Sequence, residues 1–348
     1  MLFVLLAFSL LGGARVFLFI FNRVVLGNHR KEHSPWKKWV FYATPPLLGA
    51  LMLFFRPVHF VTAIIGLYWI AQRAHALRVG AESAAGGNPF RNNVYDLEVT
   101  RHEVEIANLP PSFDGYRIAF LTDTHVAPFL RPAYYRDVVA QTLRFEPDLI
   151  LLGGDFVTWE RHIPLMAELL LPDLAARDGV YAVLGNHDYW SDADSVIAAM
   201  TARGVRFLIN RSIDIRRGDD TIALAGIDEI YRGEPDVDAA LARLDPQMPR
   251  IAVSHHPDVV DILGDRRIDL LLCGHTHGGQ IRFPFFGAIV VPSKHEARYA
   301  SGFHRVANVL LYVSRGIGAI PPIRILCKPE VATFVLHARK TVGSLARD

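Results

Sequence analysis

The chain has 348 residues, of which 51% are hydrophobic, and its formal net charge of +2 is close to neutral. This charge excludes the dense basic field that drives nucleic-acid binding, so we expect no nucleic-acid partner, and the sequence gives no sign of a protein partner. The two cysteines, Cys273 and Cys327, are too few for a disulfide framework and indicate two buried free thiols.

The first 80 residues are dominated by apolar segments. Residues 2–25 are apolar apart from Arg15, Asn22 and Arg23, and they reach the length of about 20 residues that a membrane-spanning helix needs. A cleaved signal peptide is the alternative, but no basic region precedes this stretch. Two shorter apolar stretches, at 40–55 and 59–72, leave a hairpin and a shallow re-entrant pair open. We predict an α-helical transmembrane anchor of two to three helices over residues 1–80.

Basic residues indicate the side on which the rest of the chain lies. They occur in the loop after the first apolar segment and again after the third: Arg30, Lys31, Lys37, Lys38, Arg73 and Arg78. Three spans would put all of them on the cytoplasmic side. The sequence therefore predicts a multi-pass protein of the inner or plasma membrane with a cytoplasmic catalytic domain, although the number of spans, and hence the side, stays open.

A linker and one large domain follow the anchor. Residues 81–92 are rich in Ala and Gly, as expected of a linker, and the domain is predicted over 93–340. Its first strand alternates apolar and polar residues, which indicates a half-exposed strand. Beyond it, apolar strands alternate with helical patterns, which favours an α/β fold with helices on the faces of a sheet. The helical patterns cover Pro132 to Arg144, Pro164 to Ala176, Ser191 to Arg203 and Val237 to Leu244.

Four polar motifs each follow an apolar run that has the character of a buried strand. They are Asp123-Thr124-His125 after RIAFLT, Gly153-Gly154-Asp155 after DLILL, Gly185-Asn186-His187-Asp188 after VYAVL, and Gly274-His275-Thr276-His277 after DLLLC. Ligands of open α/β sheets bind at the carboxyl ends of the strands, where loops converge on a rigid base. The pattern therefore predicts a metal site at this edge.

The residue types in these motifs are those of a site for two metal ions. On an extended segment, Asp123 and His125 would point to the same side and share one ion. Asp155 is the natural bridging carboxylate, and Asn186 offers a neutral oxygen. His275 and His277, again two residues apart, can bind one ion each. Because the set mixes imidazole with oxygen and lacks thiolate, it favours Mn, Fe or Zn.

Two cations about 3.5–4 Å apart would bind a phosphoryl oxygen and lower the pKa of a bridging water. The expected chemistry is attack on phosphorus by a metal-bridged hydroxide. The motifs D-x-H, G-D, G-N-H-D, a later His, and G-H-x-H occur here in the order typical of calcineurin-like metallophosphoesterases, and the chain resembles that superfamily, in its membrane-anchored bacterial branch, from about Tyr116 to His337. The resemblance implies a four-layer α/β/β/α sandwich, here preceded by the transmembrane region.

The resemblance also implies roles for individual residues. It assigns the first ion to Asp123, His125, Asp155 and His277, and the second to Asp155, Asn186, His255 and His275. His187 would be the general acid that protonates the leaving oxygen, and Asp188 would orient its imidazole. His255 is preferred to the adjacent His256 as the ligand, so His256 would face the substrate or support the ligands. Arg315 is a candidate phosphate contact, with an ordinary ion pair as the alternative.

The sequence thus predicts a membrane-anchored phosphoesterase of the phosphodiesterase or pyrophosphohydrolase type with two divalent metal ions, manganese among the candidates. The anchor suggests a lipid-linked phosphodiester or pyrophosphate as substrate, as for UDP-diacylglucosamine pyrophosphohydrolases within the superfamily. The alternatives are a tethered general phosphomonoesterase or phosphodiesterase for soluble substrates, and a non-catalytic membrane scaffold. The scaffold is disfavoured because no expected ligand is missing.

Overall fold

Two six-stranded β-sheets pack face to face in the computed structural model, which describes residues 91–339 except positions 243, 244, 246, 285, 286 and 289. The strands are β1 Glu98–Ile106, β2 Tyr116–Leu121, β3 Leu149–Leu152, β4 Val180–Ala182, β5 Arg206–Phe207, β6 Arg211–Arg217, β7 Asp220–Gly226, β8 Arg250–Val253, β9 Ile268–Cys273, β10 Arg282–Phe283, β11 Gly287–Ala288, β12 Gly302–Val306, β13 Val309–Val313 and β14 Glu330–Ala338. Of these, β10 and β11 form a separate small hairpin.

The first sheet has the order β1-β14-β2-β3-β4-β5, and the second has the order β12-β13-β9-β8-β7-β6. In the first, β2 to β5 run parallel, while β14 is antiparallel to β2. In the second, β13, β9, β8 and β7 run parallel. The parallel strands of each sheet therefore bring their carboxyl ends, and the loops that follow them, to one edge.

The helices are short and lie on the outer faces of the two sheets. They are α1 Pro132–Arg144, α2 Ile163–Leu169, α3 Asn186–Ser191, α4 Ala193–Thr201 and α5 Val237–Leu241, with short 3-10 helices at Pro111–Phe113, Glu160–His162, Pro257–Asp261, His277–Gly279 and Glu296–Tyr299. The pattern predicted from Pro164 to Ala176 forms a helix only to Leu169, because Pro172 cannot donate an N–H to a further turn. The helix predicted from Pro132 to Arg144 has those bounds.

Three apolar clusters hold the layers together. The central cluster lies between the sheets and joins side chains of both, such as Phe120 and Leu151 with Leu224 and Leu272. A second cluster packs α1, α2 and α4 on the first sheet, and a third packs α5 on the second. The order helix, sheet, sheet, helix follows from these clusters, and the fold is a mixed α/β sandwich of the kind that the resemblance implied.

The transmembrane part of the predicted fold is not supported. In the described part of the chain, no helix combines the length and the apolar character needed to cross a membrane. The segments on which the spans were placed, 2–25, 40–55 and 59–72, lie outside the described residues. The fold class is therefore corrected to the sandwich alone, and the predicted multi-pass membrane localisation is withdrawn with it.

Candidate metal centre

The predicted ligands come from the strand ends of both sheets. Asp123, Asp155 and Asn186 follow β2, β3 and β4 of the first sheet, whereas His255 and His275 follow β8 and β9 of the second. Backbone bonds join the loops within and between sheets: the Asp123 amide donates to Gly154 and the Gly274 amide to His255 within one sheet each, and the Ile317 amide donates to Thr122 across the two sheets. The sandwich thus brings residues more than 150 positions apart to one place.

Five of these residues have a left-handed backbone. They are Asp123 (φ 53°), His125 (φ 43°), Asp155 (φ 55°), His275 (φ 68°) and His277 (φ 52°). Such a conformation is uncommon for residues other than glycine and is typically retained at functional sites. The extended conformation expected for the Asp-x-His segment is therefore wrong. Its two side chains approach each other from a left-handed backbone instead.

A first group of ligand atoms consists of Asp123, His125 and His277, whose coordinating atoms all lie within 4.8 Å of one another. The Nε2 atoms of His125 and His277 are 3.1 Å apart. The Nε2 atom of His277 is also 3.5 Å from Oδ1 of Asp123. Two ring nitrogens facing each other with a carboxylate beside them form a pocket suited to a cation.

A second group consists of Asp155, His255 and His275, again within 4.8 Å of one another. The Nε2 atom of His255 lies 3.1 Å from Nδ1 of His275. Oδ2 of Asp155 is 3.3 Å from Nε2 of His255 and 3.5 Å from Nε2 of His125 in the first group. The same carboxylate oxygen therefore faces both groups.

The chemical state of four of the predicted ligands suits metal binding. Oδ1 of Asn186 is buried without a hydrogen-bond partner among the described residues, as expected of an atom that awaits an ion. Burial lowers the pKa of His125, His275 and His277, which favours the neutral imidazole that a metal requires. His255 differs: burial acts to lower its pKa, but the Asp155 carboxylate outweighs it and raises that pKa to about 10, so this imidazole must lose a proton when a metal binds.

Two glycines are required by the close approach of these loops. A Cβ atom on Gly185 would lie 2.2 Å from Oδ1 of Asp155, and one on Gly274 would lie 2.3 Å from Oδ2 of Asp123. Neither distance is tolerable for a larger residue. The glycines of the Gly-Asn-His-Asp and Gly-His-x-His motifs thus leave room for the carboxylates.

His187 lies at the mouth of the first group. Its backbone amide donates to Oδ1 of Asp155 at 2.8 Å, and its half-buried ring meets the ring of His125 edge-on, with the centroids 4.8 Å apart. On its other side, the Trp190 ring lies at 4.6 Å. The ring nitrogens of His187 are close enough to His125 and Asp155 to form a third group of ligand type, so geometry permits a metal ligand as well as an acid.

Asp188 contacts the backbone and not the imidazole of His187. Its carboxylate accepts hydrogen bonds from the amides of Asp155, Phe156 and Gly185 at 2.8, 2.8 and 2.9 Å. Burial and the nearby charge of Asp155 raise its pKa to about 7. Asp188 therefore ties the loop after β4 to the loop after β3.

The two remaining predicted residues, His256 and Arg315, both have polar partners within the protein. His256 is buried, its Nδ1 accepts the Asp258 amide at 3.1 Å, and its ring packs 4.0 Å from that of His275. The guanidinium of Arg315 is 2.6 Å from Glu98 and 3.3 Å from Glu330. His256 thus packs against the predicted ligand His275, and Arg315 forms ion pairs.

Two buried charged residues near the site were not found from the sequence. The Arg324 side chain, 0% exposed, donates to the carbonyl oxygens of Arg315 (2.7 Å) and His277 (3.3 Å) among others. Glu229, also fully buried, follows β7 and accepts the amides of Tyr231 and Arg232 with Oε2, while its Oε1 has no hydrogen-bond partner among the described residues. Neither residue lies in a sequence motif that indicates a functional role.

Comparison with known proteins agrees with the metal-site geometry, because the matching proteins are phosphoesterases. A model of the calcineurin-like phosphoesterase family matches residues 116–279. The chain is 32% identical over 275 residues to the uncharacterised metallophosphoesterase YkuE of Bacillus subtilis, covering 76% of this chain and 94% of that protein. It is 31% identical over 245 residues to phosphodiesterase YaeI of Escherichia coli, covering 69% and 88%.

A bovine relative, named as a transmembrane protein with a metallophosphoesterase domain, is 32% identical over 258 residues, which cover 69% of this chain and 57% of that protein. Taken with the site at the converging strand ends, these matches show that the chain belongs to the calcineurin-like phosphoesterase family and is a hydrolase that uses two divalent metal ions.

Proposed function

We propose that this phosphoesterase cleaves phosphodiesters, with both metal groups engaged and His187 as the general acid. The observation that carries the proposal is the position of Asp155, whose Oδ2 faces His125 of the first group and His255 of the second. Asp155 would therefore hold both cations. When bound, such a pair supplies Lewis acidity and a nucleophile derived from water at neutral pH.

The chain's own residues divide the remaining work. Asp123, His125 and His277 would hold the first ion, and Asn186, His255 and His275 the second, with Asp155 common to both. His187 borders the first group and is partly open to solvent, so its ring can reach an oxygen that departs from phosphorus. Asp188 would act on this chemistry only indirectly, through the amides of the two loops.

His187 is the residue to test, because the geometry also permits it to be a ligand. As an acid, His187→Ala should retain both ions and lose rate by about 10²–10⁴-fold on a diester with a poor leaving group. A nitrophenyl ester needs less protonation and should lose less. The experiment measures metal content and kcat for both esters.

His304→Gln is a matched control, because the Nε2–H of His304 donates to the Ser301 carbonyl and His304 lies outside the groups described above. It should retain both the ions and the rate. Loss of an ion in His187→Ala would assign His187 to a metal instead, and equal losses for good and poor leaving groups would refute the acid role.

A lipid-linked substrate is a more specific proposal, supported by two exposed aromatic residues. Each of them lies four positions after a proposed ligand. Phe129 and Trp159 are each 41% exposed and meet edge to face with their centroids 5.6 Å apart. An apolar chain beside the metals would cover such a pair. Phe129→Ser combined with Trp159→Ser should reduce turnover of a long-chain diester relative to a dimethyl analogue, and an unchanged ratio would remove the support.

A further inference from the structure

Arg232 is a cation without a carboxylate partner beside the proposed acid. Its guanidinium carbon lies 5.1 Å from the centroid of the Trp190 ring, and that ring lies 4.6 Å from His187. Arg232 is exposed, and no carboxylate of the described chain is within ion-pairing distance of it. Trp190 is itself 48% exposed, so both side chains face solvent at the mouth of the site.

This arrangement is held from below by a buried carboxylate. Oε2 of Glu229 accepts the backbone amides of Tyr231 and Arg232, which closes a tight turn directly after β7. The neighbouring Asp228 accepts the hydroxyl of Tyr189 at 2.6 Å, and this bond ties the same turn to α3, the helix that carries His187 and Trp190. The backbone of Arg232 is therefore held at a fixed position relative to the helix that carries His187.

The Arg232 guanidinium lies at cation–π distance from the Trp190 ring, and its N–H groups donate no hydrogen bond to another described residue. A guanidinium matches carboxylate and phosphate oxygens through two parallel hydrogen bonds, and stacking on an aromatic ring reduces the freedom lost when it binds. An arginine with a carboxylate partner, such as Arg315, would have its N–H groups occupied. Arg232 has the opposite character, that of an anion-binding residue.

We propose that Arg232 binds an anionic group on the leaving side of the substrate, so that the preferred leaving group carries a negative charge of its own. The proposal rests on the proposed function, because the leaving side is defined by His187. Two chemical sources share this character: the second phosphate of a pyrophosphate diester, and an alcohol that bears a phosphate or carboxylate. In either case Arg232 determines specificity and takes no part in proton transfer.

The kinetic test uses methyl aryl phosphates whose phenols have matched pKa values and differ only in a ring carboxylate. The quantity measured is the ratio of kcat/KM for the carboxylated ester to that for the uncharged ester. Arg232→Gln should lower this ratio roughly tenfold, the size of one charge-assisted hydrogen bond. The ratio for Arg232→Lys should lie between those of Arg232→Gln and the unchanged protein, since lysine retains the charge without the planar fork. Trp190→Ala should lower the ratio as well, because the guanidinium loses its support.

Arg206→Gln is the matched control. Arg206 is also exposed and also lies over an aromatic ring, that of Tyr181 at 5.3 Å, but it is on β5 and has no contact with His187. Its ratio should equal that of the unchanged protein. An unchanged ratio in Arg232→Gln, or an equal fall in Arg206→Gln, would overturn the proposal.

A binding experiment tests this proposal independently of the role of His187 and distinguishes the two chemical sources. Metal-loaded protein is titrated calorimetrically with inorganic pyrophosphate, with inorganic phosphate and with the carboxylated phenol. If the leaving group is a phosphate, Arg232→Gln should weaken pyrophosphate relative to phosphate roughly tenfold; a selective loss for the carboxylated phenol points to the other source. Equal affinities of both proteins for all three ligands would refute the proposal, whether or not His187 proves to be an acid.

Discussion

The carboxylate of Asp188 accepts a hydrogen bond from the backbone amide of Asp155 at 2.8 Å, so one buried acid fixes the position of another. The same carboxylate also binds the amides of Phe156 and Gly185. Three donors on one carboxylate hold the loops after β3 and β4 together. The position of Asp155 between the two ligand groups therefore depends on a residue whose carboxylate is occupied by backbone amides.

Asp188→Asn tests this dependence. An amide side chain retains one acceptor oxygen, and its NH₂ group would face a backbone N–H, so at least one buried amide loses its partner. We expect a loss of about 1–3 kcal/mol in the free energy of unfolding, together with weaker binding of both ions. Denaturant unfolding and metal titration measure the two effects. A variant of full stability and metal affinity that fails only on poor leaving groups would instead indicate that Asp188 acts on His187.

Asp155 and Asn186 should differ in how many ions they control. Asp155→Ala should remove both ions, because its Oδ2 faces both groups, whereas Asn186→Ala should chiefly weaken the second. Metal content of the purified variants, at equal folded fraction by circular dichroism, decides between them. Two ions per chain in Asp155→Ala would contradict the shared position.

Arg324 should control the first ion through His277. Its guanidinium is entirely buried and donates to the carbonyl oxygens of residues 277, 315, 316 and 318, so it joins the loop after β9 to the loop after β13. Arg324→Lys removes the planar fork and leaves several of these carbonyls without a donor. We expect a destabilisation of about 3 kcal/mol and weaker binding of the first ion.

The exposed Arg305 of β12 provides the control for this change, since Arg305→Lys alters the same chemistry at the surface. The free energy of unfolding of this variant should stay within about 0.5 kcal/mol of that of the unchanged protein, and its metal affinity should be unchanged. If Arg324→Lys behaves in the same way, the guanidinium has no part in holding His277.

The sequence predicts those parts of the site that have a local signal. Asp123, Asp155, Asn186 and His275 each follow an apolar strand, and the rule for strand ends is enough to expect them together. The architecture of strands and helices follows from the same periodicity. The helix predicted beyond Leu169 is shorter because a single proline prevails over the apolar pattern.

The contacts of the supporting residues could not be predicted, because their partners are remote in sequence. Arg315 and Glu98 are separated by 217 positions, and the carbonyl groups around Arg324 belong to loops that only the folded sandwich brings together. Asp188 is adjacent to His187 in the sequence, but its carboxylate accepts hydrogen bonds from three backbone amides. Hydropathy alone likewise gave a membrane architecture that the described helices do not support.

The ion pair of Arg315 with Glu330 should stabilise the fold rather than bind phosphate. Burial acts to raise the pKa of Glu330, but the guanidinium of Arg315 and several hydrogen bonds outweigh it and hold that pKa below the ordinary value of 4.5. Arg315→Ala leaves a buried carboxylate without its cation. We expect a loss of about 3 kcal/mol in the free energy of unfolding at pH 7.

The pH dependence gives a sharper test of the same pair. Because the pKa of Glu330 is lower in the folded state than in the unfolded state, its stabilising contribution is complete above pH 4.5 and is lost as the pH falls through the folded value. The difference in unfolding free energy between the unchanged protein and Arg315→Ala should therefore shrink below about pH 4.5, and Glu330→Gln should remove this dependence. Denaturant unfolding from pH 3 to pH 7 measures it. A variant of unchanged stability whose KM for phosphoesters rises would show instead that Arg315 binds the substrate.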